Sequence, residues 1–204
     1  MSRPRASSDV RTVRRRVVDS TRRDDLLESV SDIFLTEGFT SMSVDQLTRR
    51  LQCSKSTLYA IAPSKEQLVL KVTRRFFKRA TAEIEEAVRA VSDPAERIAV
   101  YLKSIGAAMS AQSAAFYRDM VGFQPTAEIY ELNSSAAARR VREIIEDGVR
   151  SGRFREIDPG FAGHLIACAI EGIQSGRLQS GSDAETGHAF SQLGELVLNG
   201  LGRR

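Results

Sequence analysis

Apolar residues in this chain return every three or four positions and almost nowhere every two, so the periodicity is helical from end to end. Leu26, Leu27, Val30, Ile33 and Phe34 mark an amphipathic helix over 21–37, and Gly38 stops it. Ser43 and Gln46 stand at capping-box spacing, with Val44, Leu47 and Leu51 following at intervals of three and four, which predicts a short second helix ending near Arg50. Ser54 can cap a third, through about Ala60, whose inward anchor is Leu58 and which Pro63 closes. Ser64 and Gln67 form another box, and Leu68, Val69, Val72, Phe76 and Ile84 extend an apolar stripe to Val91, a long connecting helix.

The second half continues the pattern. Asp93-Pro94 combines a cap with a first-turn proline and opens a helix to about Gln112. A short helix over 113–122 carries Phe116, Tyr117 and Met120, and Pro125 breaks the chain before a long helix to Arg150. Asp158-Pro159 starts the next, expected to reach Arg177. Ser182, with Glu185 at the box position, caps a last helix bearing Phe190, Leu193, Leu196 and Val197, and Gly200 and Gly202 end it. About nine helices without a strand pattern or internal repeat predict an all-α protein. Its expected parts are a basic, mobile N-terminal arm (1–20), a three-helix head (21–80) and a helical body (81–204).

Charge sharpens that division. The 204 residues carry a net charge of only +4, but residues 1–80 hold 17 Lys+Arg against 9 Asp+Glu and residues 81–204 hold 13 against 17. A net +8 over the arm and head against −4 on the body is the pattern of a molecule that meets a polyanion at one end. Cys53 and Cys168 are far apart and lack Cys or His companions, so buried inert thiols are expected and no metal or cofactor site is signalled. The first twenty residues lack an apolar core, which argues against a secretory signal, and no stretch reaches the roughly 18 apolar residues of a membrane span. A soluble, cytoplasmic protein is the expectation.

The two short helices at 43–50 and 54–60, crossed by 21–37, fit a helix-turn-helix. A helix enters the major groove with a small, polar outward face, here Lys55, Ser56, Thr57 and Tyr59, while Val44, Leu47 and Leu58 hold the unit rigid. The string Gln52-Cys-Ser-Lys-Ser-Thr-Leu-Tyr-Ala-Ile-Ala-Pro-Ser-Lys65 resembles the TetR-family string Gly-Val-Ser-Lys-Gly-Thr-Leu-Tyr-x-Tyr-Phe-x-x-Lys, with Ser54, Lys55, Thr57, Leu58, Tyr59 and Lys65 in register. Glu37-Gly38-Phe39 and Ser43-Val44 add to it, so the resemblance spans about 21–80. It implies DNA contacts from Ser43 and Ser56 as well, phosphate contacts from Thr57, Tyr59 and Lys65, and positions for Ser54 and Lys55 at the mouth of the groove. Ile61 and Ala62 depart from the family, which has aromatics there. Arg14, Arg15 and Arg16 fit two readings: a solvated tail, or an arm in the minor groove beside the head.

In the body, Phe161, Leu165, Ile166, Ile170 and Ile173 make a stripe too wide for one core, and with Leu193, Leu196 and Val197 they predict a two-fold four-helix interface with a second copy. A cluster of Tyr101, Met109, Phe116, Tyr117, Met120, Phe123 and Tyr130, with His164 as a polar anchor, suggests by family analogy a cavity for a small hydrophobic effector; core packing is the competing reading. The family resemblance implies a homodimeric repressor on double-stranded palindromic operator DNA, released by an apolar ligand. No phosphate loop, nucleophile elbow or metal-ligand spacing suggests an enzyme. The rival reading is a dimeric helical ligand-binding or interaction module whose DNA binding is weakened or lost, as Ile61 and Ala62 hint.

Overall fold

A computed structural model describes the backbone of residues 8–178 and 183–202, and side chains over 22–178, 189, 190 and 192–202. Among the described residues nine helices follow one another: α1 (Ser8–Glu37), α2 (Val44–Arg50), α3 (Lys55–Tyr59), α4 (Lys65–Arg89), α5 (Pro94–Ser110), α6 (Ala114–Gly122), α7 (Gln124–Arg150), α8 (Pro159–Gln174) and α9 (Asp183–Leu201). Extended structure among the described residues is limited to an isolated bridge between Phe154 and Gly202. None of these helices is long and apolar enough to cross a membrane.

Side-chain caps decide where most of the helices begin. Ser43, Ser54, Ser64, Asp93, Ser113 and Asp158 each accept a backbone N–H of the first turn that the helix itself cannot pair. Ser182 lies outside the described residues. Three boundaries differ from expectation. The first helix starts at Ser8, because no glycine or proline interrupts 8–20 and arginine is a good helix former, so the backbone of most of the expected arm continues α1. The Arg14, Arg15 and Arg16 side chains lie outside the described residues. Pro125 sits in the first turn of α7, where its missing N–H costs nothing, so α6 and α7 are separated by Phe123 alone. The eighth helix stops at Gln174, three residues short of Arg177, where Ser175-Gly176 releases the chain.

Two apolar cores result. The head core joins Leu27, Val30 and Phe34 of α1 to Leu47, Leu58, Leu68 and Val72, and it also takes in Phe116 and Met120 from α6 and Tyr130 from α7. The body core joins Val88 to α5, α7, α8 and α9 through residues such as Leu102, Ile144, Ile166 and Phe190. The long α4 contributes to both, so it connects the head rigidly to the body. Cys53 is half-buried, and burial pushes its thiol up from the ordinary range, as an inert core cysteine requires. Cys168 is exposed, contrary to expectation: it lies four residues from His164, on a side of α8 that opens onto a cavity in the body.

Candidate nucleic-acid interface

The α2–α3 unit is fixed by short-range hydrogen bonds. Ser43 Oγ accepts from the Gln46 N–H at 3.2 Å, while Gln46 Oε1 accepts from the Ser43 N–H at 2.7 Å, closing the predicted box. The turn passes through Gln52 at φ 49°, a left-handed residue where the resembled string has glycine. Ser54 Oγ accepts from the Thr57 N–H at 3.1 Å and touches the hydroxyls of Ser56 (2.7 Å) and Thr57 (2.8 Å). On α3 only Leu58 faces inward, 2% exposed; Lys55, Ser56, Thr57 and Tyr59 all face outward, with Tyr59 44% exposed. That is the arrangement a groove-reading helix requires.

Two predicted contacts are engaged within the protein. Lys55 Nζ lies 2.6 Å from Asp45 Oδ1, and this pairing raises the lysine pKa and lowers that of the aspartate. Lys65 Nζ donates to the Thr40 carbonyl at 3.2 Å, and burial lowers its pKa against an opposing pull from Asp119. Ala62 is buried and Ile61 half-buried against the head core, so the two departures from the family string serve packing.

Below the head, between α4, α5, α6, α7 and α8, lies a cavity of about 960 Å³. Tyr101, Met109, Tyr117, Tyr130 and His164 line it. Phe116, Met120 and Phe123 do not: the first two are completely buried in the head core and Phe123 packs 6.4 Å from Phe39, so these three side chains are core, not lining. The cause is helical phase, since Phe116 and Met120 share one face of α6 while Tyr117 and Val121 share another. The cavity wall is also more polar than the sequence suggested. Arg140 binds both carboxylate oxygens of Glu85, at 2.9 and 3.1 Å, and reaches Glu143 at 3.1 Å. Tyr130 donates to Gln174, and burial pushes the phenols of Tyr101, Tyr117 and Tyr130 above their ordinary range, so each stays a neutral donor and acceptor.

The expected dimer stripe divides. Phe161, Leu165 and Leu196 are 66%, 58% and 73% exposed, an unusual amount for large apolar groups. Ile166 and Ile173, each 4% exposed, instead point into the body core, because, seven residues apart, they share a face of α8 turned away from that of Phe161 and Leu165. Ile170 lines the cavity, and Leu193 and Val197 are partly buried against the body core.

No family model matches the chain. A curated relative, the HTH-type transcriptional activator FasR of Mycolicibacterium smegmatis, is 24% identical over 156 residues, covering 74% of this chain and 69% of that protein. A TetR-family transcriptional regulator from Agrobacterium tumefaciens superposes with a TM-score of 0.72 at 16% identity, over 91% of this chain and 100% of that one. The chain has the TetR-family fold. A transcriptional regulator from Saccharomonospora viridis, solved in complex with choline, gives a TM-score of 0.77 at 17% identity over 91% and 100% of the two chains. The ketosteroid transcriptional regulator KstR2 of Mycobacterium tuberculosis gives 0.65 at 20% identity over 90% and 96%.

Within the TetR fold, four of the six matched positions, Ser54, Lys55, Thr57 and Tyr59, lie on exposed surface at or beside α3; Leu58 is buried and Lys65 turns to Thr40. Sequence reasoning missed Asp45, Asp119 and the Glu85–Arg140–Glu143 group. Asp45, Asp119 and Glu85 act on partners 10 to 80 positions away that no local pattern marks, whereas Glu143 is only three residues from Arg140.

Proposed function

We propose that this chain is a DNA-binding transcriptional regulator that acts as a homodimer, laying α3 in the major groove of a palindromic site. The observation that carries the reading is the face of α3: four polar side chains exposed together on a capped helix whose single apolar residue is locked in the head core. The surplus of basic residues in 1–80 supports it by favouring phosphates at that end. Thr57 and Tyr59 take phosphates, Lys55 and Ser56 approach the groove, and Ser43 contacts the backbone at the start of α2. Lys65 contributes through Thr40 and the shape of the head.

The second copy docks on Phe161, Leu165 and Leu196, whose exposure in a single chain is otherwise unaccounted for. The cavity takes a small effector with an apolar body and a polar group that reaches the tyrosines or the Arg140 group. Neighbours of the same fold are described with choline and as a ketosteroid regulator, consistent with a site whose chemistry varies between proteins. An effector that fits better with the heads displaced weakens DNA binding through coupling of typically about 1–3 kcal/mol. Repression is the working direction; the mycobacterial relative is named an activator, and a promoter-reporter assay with and without the protein decides the sign.

Fluorescence anisotropy on duplex DNA over a salt series tests the reading. Affinity should fall log-linearly with salt, with a slope of about −0.9 per neutralised phosphate. Thr57→Ala and Tyr59→Phe should weaken binding at every sequence. A flat salt response would favour the rival module without DNA binding.

A further inference from the structure

The short α6 faces two ways, and its two faces belong to different parts of the molecule. Tyr117 and Val121, four apart, line the cavity. Phe116 and Met120, also four apart, are completely buried in the head core, where the Phe116 ring lies 6.0 Å from both Phe39 and Phe76. Asp119 is two positions from Tyr117, about 200° around a helix of 3.6 residues per turn, and so points away from the cavity. Its Oδ2 accepts hydrogen bonds from the consecutive backbone N–H groups of Phe39 (2.6 Å) and Thr40 (2.7 Å), in the loop that joins α1 to α2.

That loop is built around the contact. Gly38 adopts φ +79°, and a Cβ there would stand 2.6 Å from Asp119 Oδ2, so a side chain would collide with the carboxylate as well as strain the backbone. The Thr40 peptide is held from both sides, its N–H by Asp119 and its carbonyl by Lys65 at the start of α4. The Ser113 N–H, at the first turn of α6, donates to the Leu35 carbonyl of α1 at 2.8 Å. Two N–H groups converging on one carboxylate are charge-assisted bonds, about twice as strong as neutral ones.

We propose that Asp119 is a positioning residue of the DNA-reading head: it latches the α1–α2 loop to α6, and displacement of Tyr117 or Val121 by a molecule in the cavity reaches the head by moving that carboxylate. The inference rests on the reading of the head as a DNA-binding unit for its consequence, though not for its mechanics. A rigid helix of nine residues cannot shift on its cavity face without shifting on the other. The loop it holds sets where α2 begins, and with α2 the turn and α3.

The test uses Val121→Trp as a built-in cavity filler, with amide hydrogen exchange on the free full-length protein as the readout. In the otherwise unaltered chain, Val121→Trp should lower protection of the Phe39 and Thr40 amides by about tenfold, the scale of a lost hydrogen bond to a charged group. Asp119→Ala alone should lower it at least as much. In the double variant the tryptophan should change those two amides no further, and the melting-temperature losses of the two substitutions should fall short of additive, because both remove the same hydrogen bonds. If Asp119→Ala does not fold, Asp119→Asn, which keeps the shape and one acceptor, replaces it with a smaller effect of the same sign. Unchanged protection with Val121→Trp, or the same drop with and without Asp119, overturns the proposal. Duplex affinity at fixed salt is the second readout: weakened by the tryptophan only when Asp119 is present. A chain that shows the exchange coupling but binds no duplex retains the latch and loses the regulatory reading instead.

Discussion

Gly148→Ala sets two physical effects against each other with opposite signs. In the interior of a helix such as α7, alanine is better than glycine by about 1 kcal/mol, so propensity alone predicts a more stable protein. A Cβ at Gly148, however, would lie 2.9 Å from Cγ of Phe154 and nearer still to two further ring carbons. The ring has little room to retreat. Phe154 is 2% exposed, its N–H donates to the Gly148 carbonyl at 2.9 Å, and the next N–H, of Arg155, donates to the Leu201 carbonyl at 3.0 Å. Expelling the ring forfeits most of a buried phenylalanine, about 3–5 kcal/mol. The net expectation is a loss of about 2–4 kcal/mol, which at 2–4 °C per kcal/mol for a chain of this size lowers the melting temperature by about 4–16 °C. Thermal and urea unfolding at one fixed protein concentration measure it, since dimerisation would make both concentration-dependent. Phe154→Ala should then abolish the penalty, leaving the double variant no less stable than Phe154→Ala alone. A Gly148→Ala protein as stable as the parent would refute the reasoning, because it would mean that the ring does not occupy that space.

Asp45→Asn should release Lys55 for phosphate, tightening duplex binding and steepening its salt dependence, while stability changes little because solvent screens so exposed a pair; unaltered affinity would remove Lys55 from the interface. Leu165→Glu and Leu196→Glu should each yield a monomer by light scattering with helical content intact, and a surviving dimer would place the interface elsewhere. Glu28, bonded to Arg75 and to Arg79, has its pKa held below the usual 4.5, chiefly by the hydrogen bond from Arg75. Its contribution is complete above that pH and is lost as pH falls through the lower folded-state value, so the stability gap to Glu28→Gln should be constant near neutrality and close in acid. A gap that does not change between pH 7 and 3 would show that the carboxylate is not paired in solution.

What could be read from the sequence was what is written locally. Ser43, Ser54, Ser64, Asp93 and Asp158 announce helix starts because capping is an interaction over two or three residues, and the outward face of α3 follows from one buried leucine and the helical period. The cavity wall was only half legible. Composition put seven aromatic and methionine residues near it, but whether Phe116 or Tyr117 faces inward depends on which neighbour α6 packs against. The same limit separated Ile166 and Ile173 from Phe161 and Leu165, which share a helix and a chemistry but not a side. The Asp119 contact was invisible, since its partners are 79 and 80 positions away and nothing in the surrounding residues marks an aspartate as spoken for.

Because Phe116, Met120 and Tyr130 complete the core around α1 to α4, residues 21–80 do not form a self-sufficient module. Excised, they would uncover Phe34, Phe39 and Phe77 to water; transplanted onto another protein, they would meet a helix with the wrong knobs. A chimera that places this head on a new body must therefore carry α6 and the opening turns of α7 along with it, or exchange only the outward residues of α3.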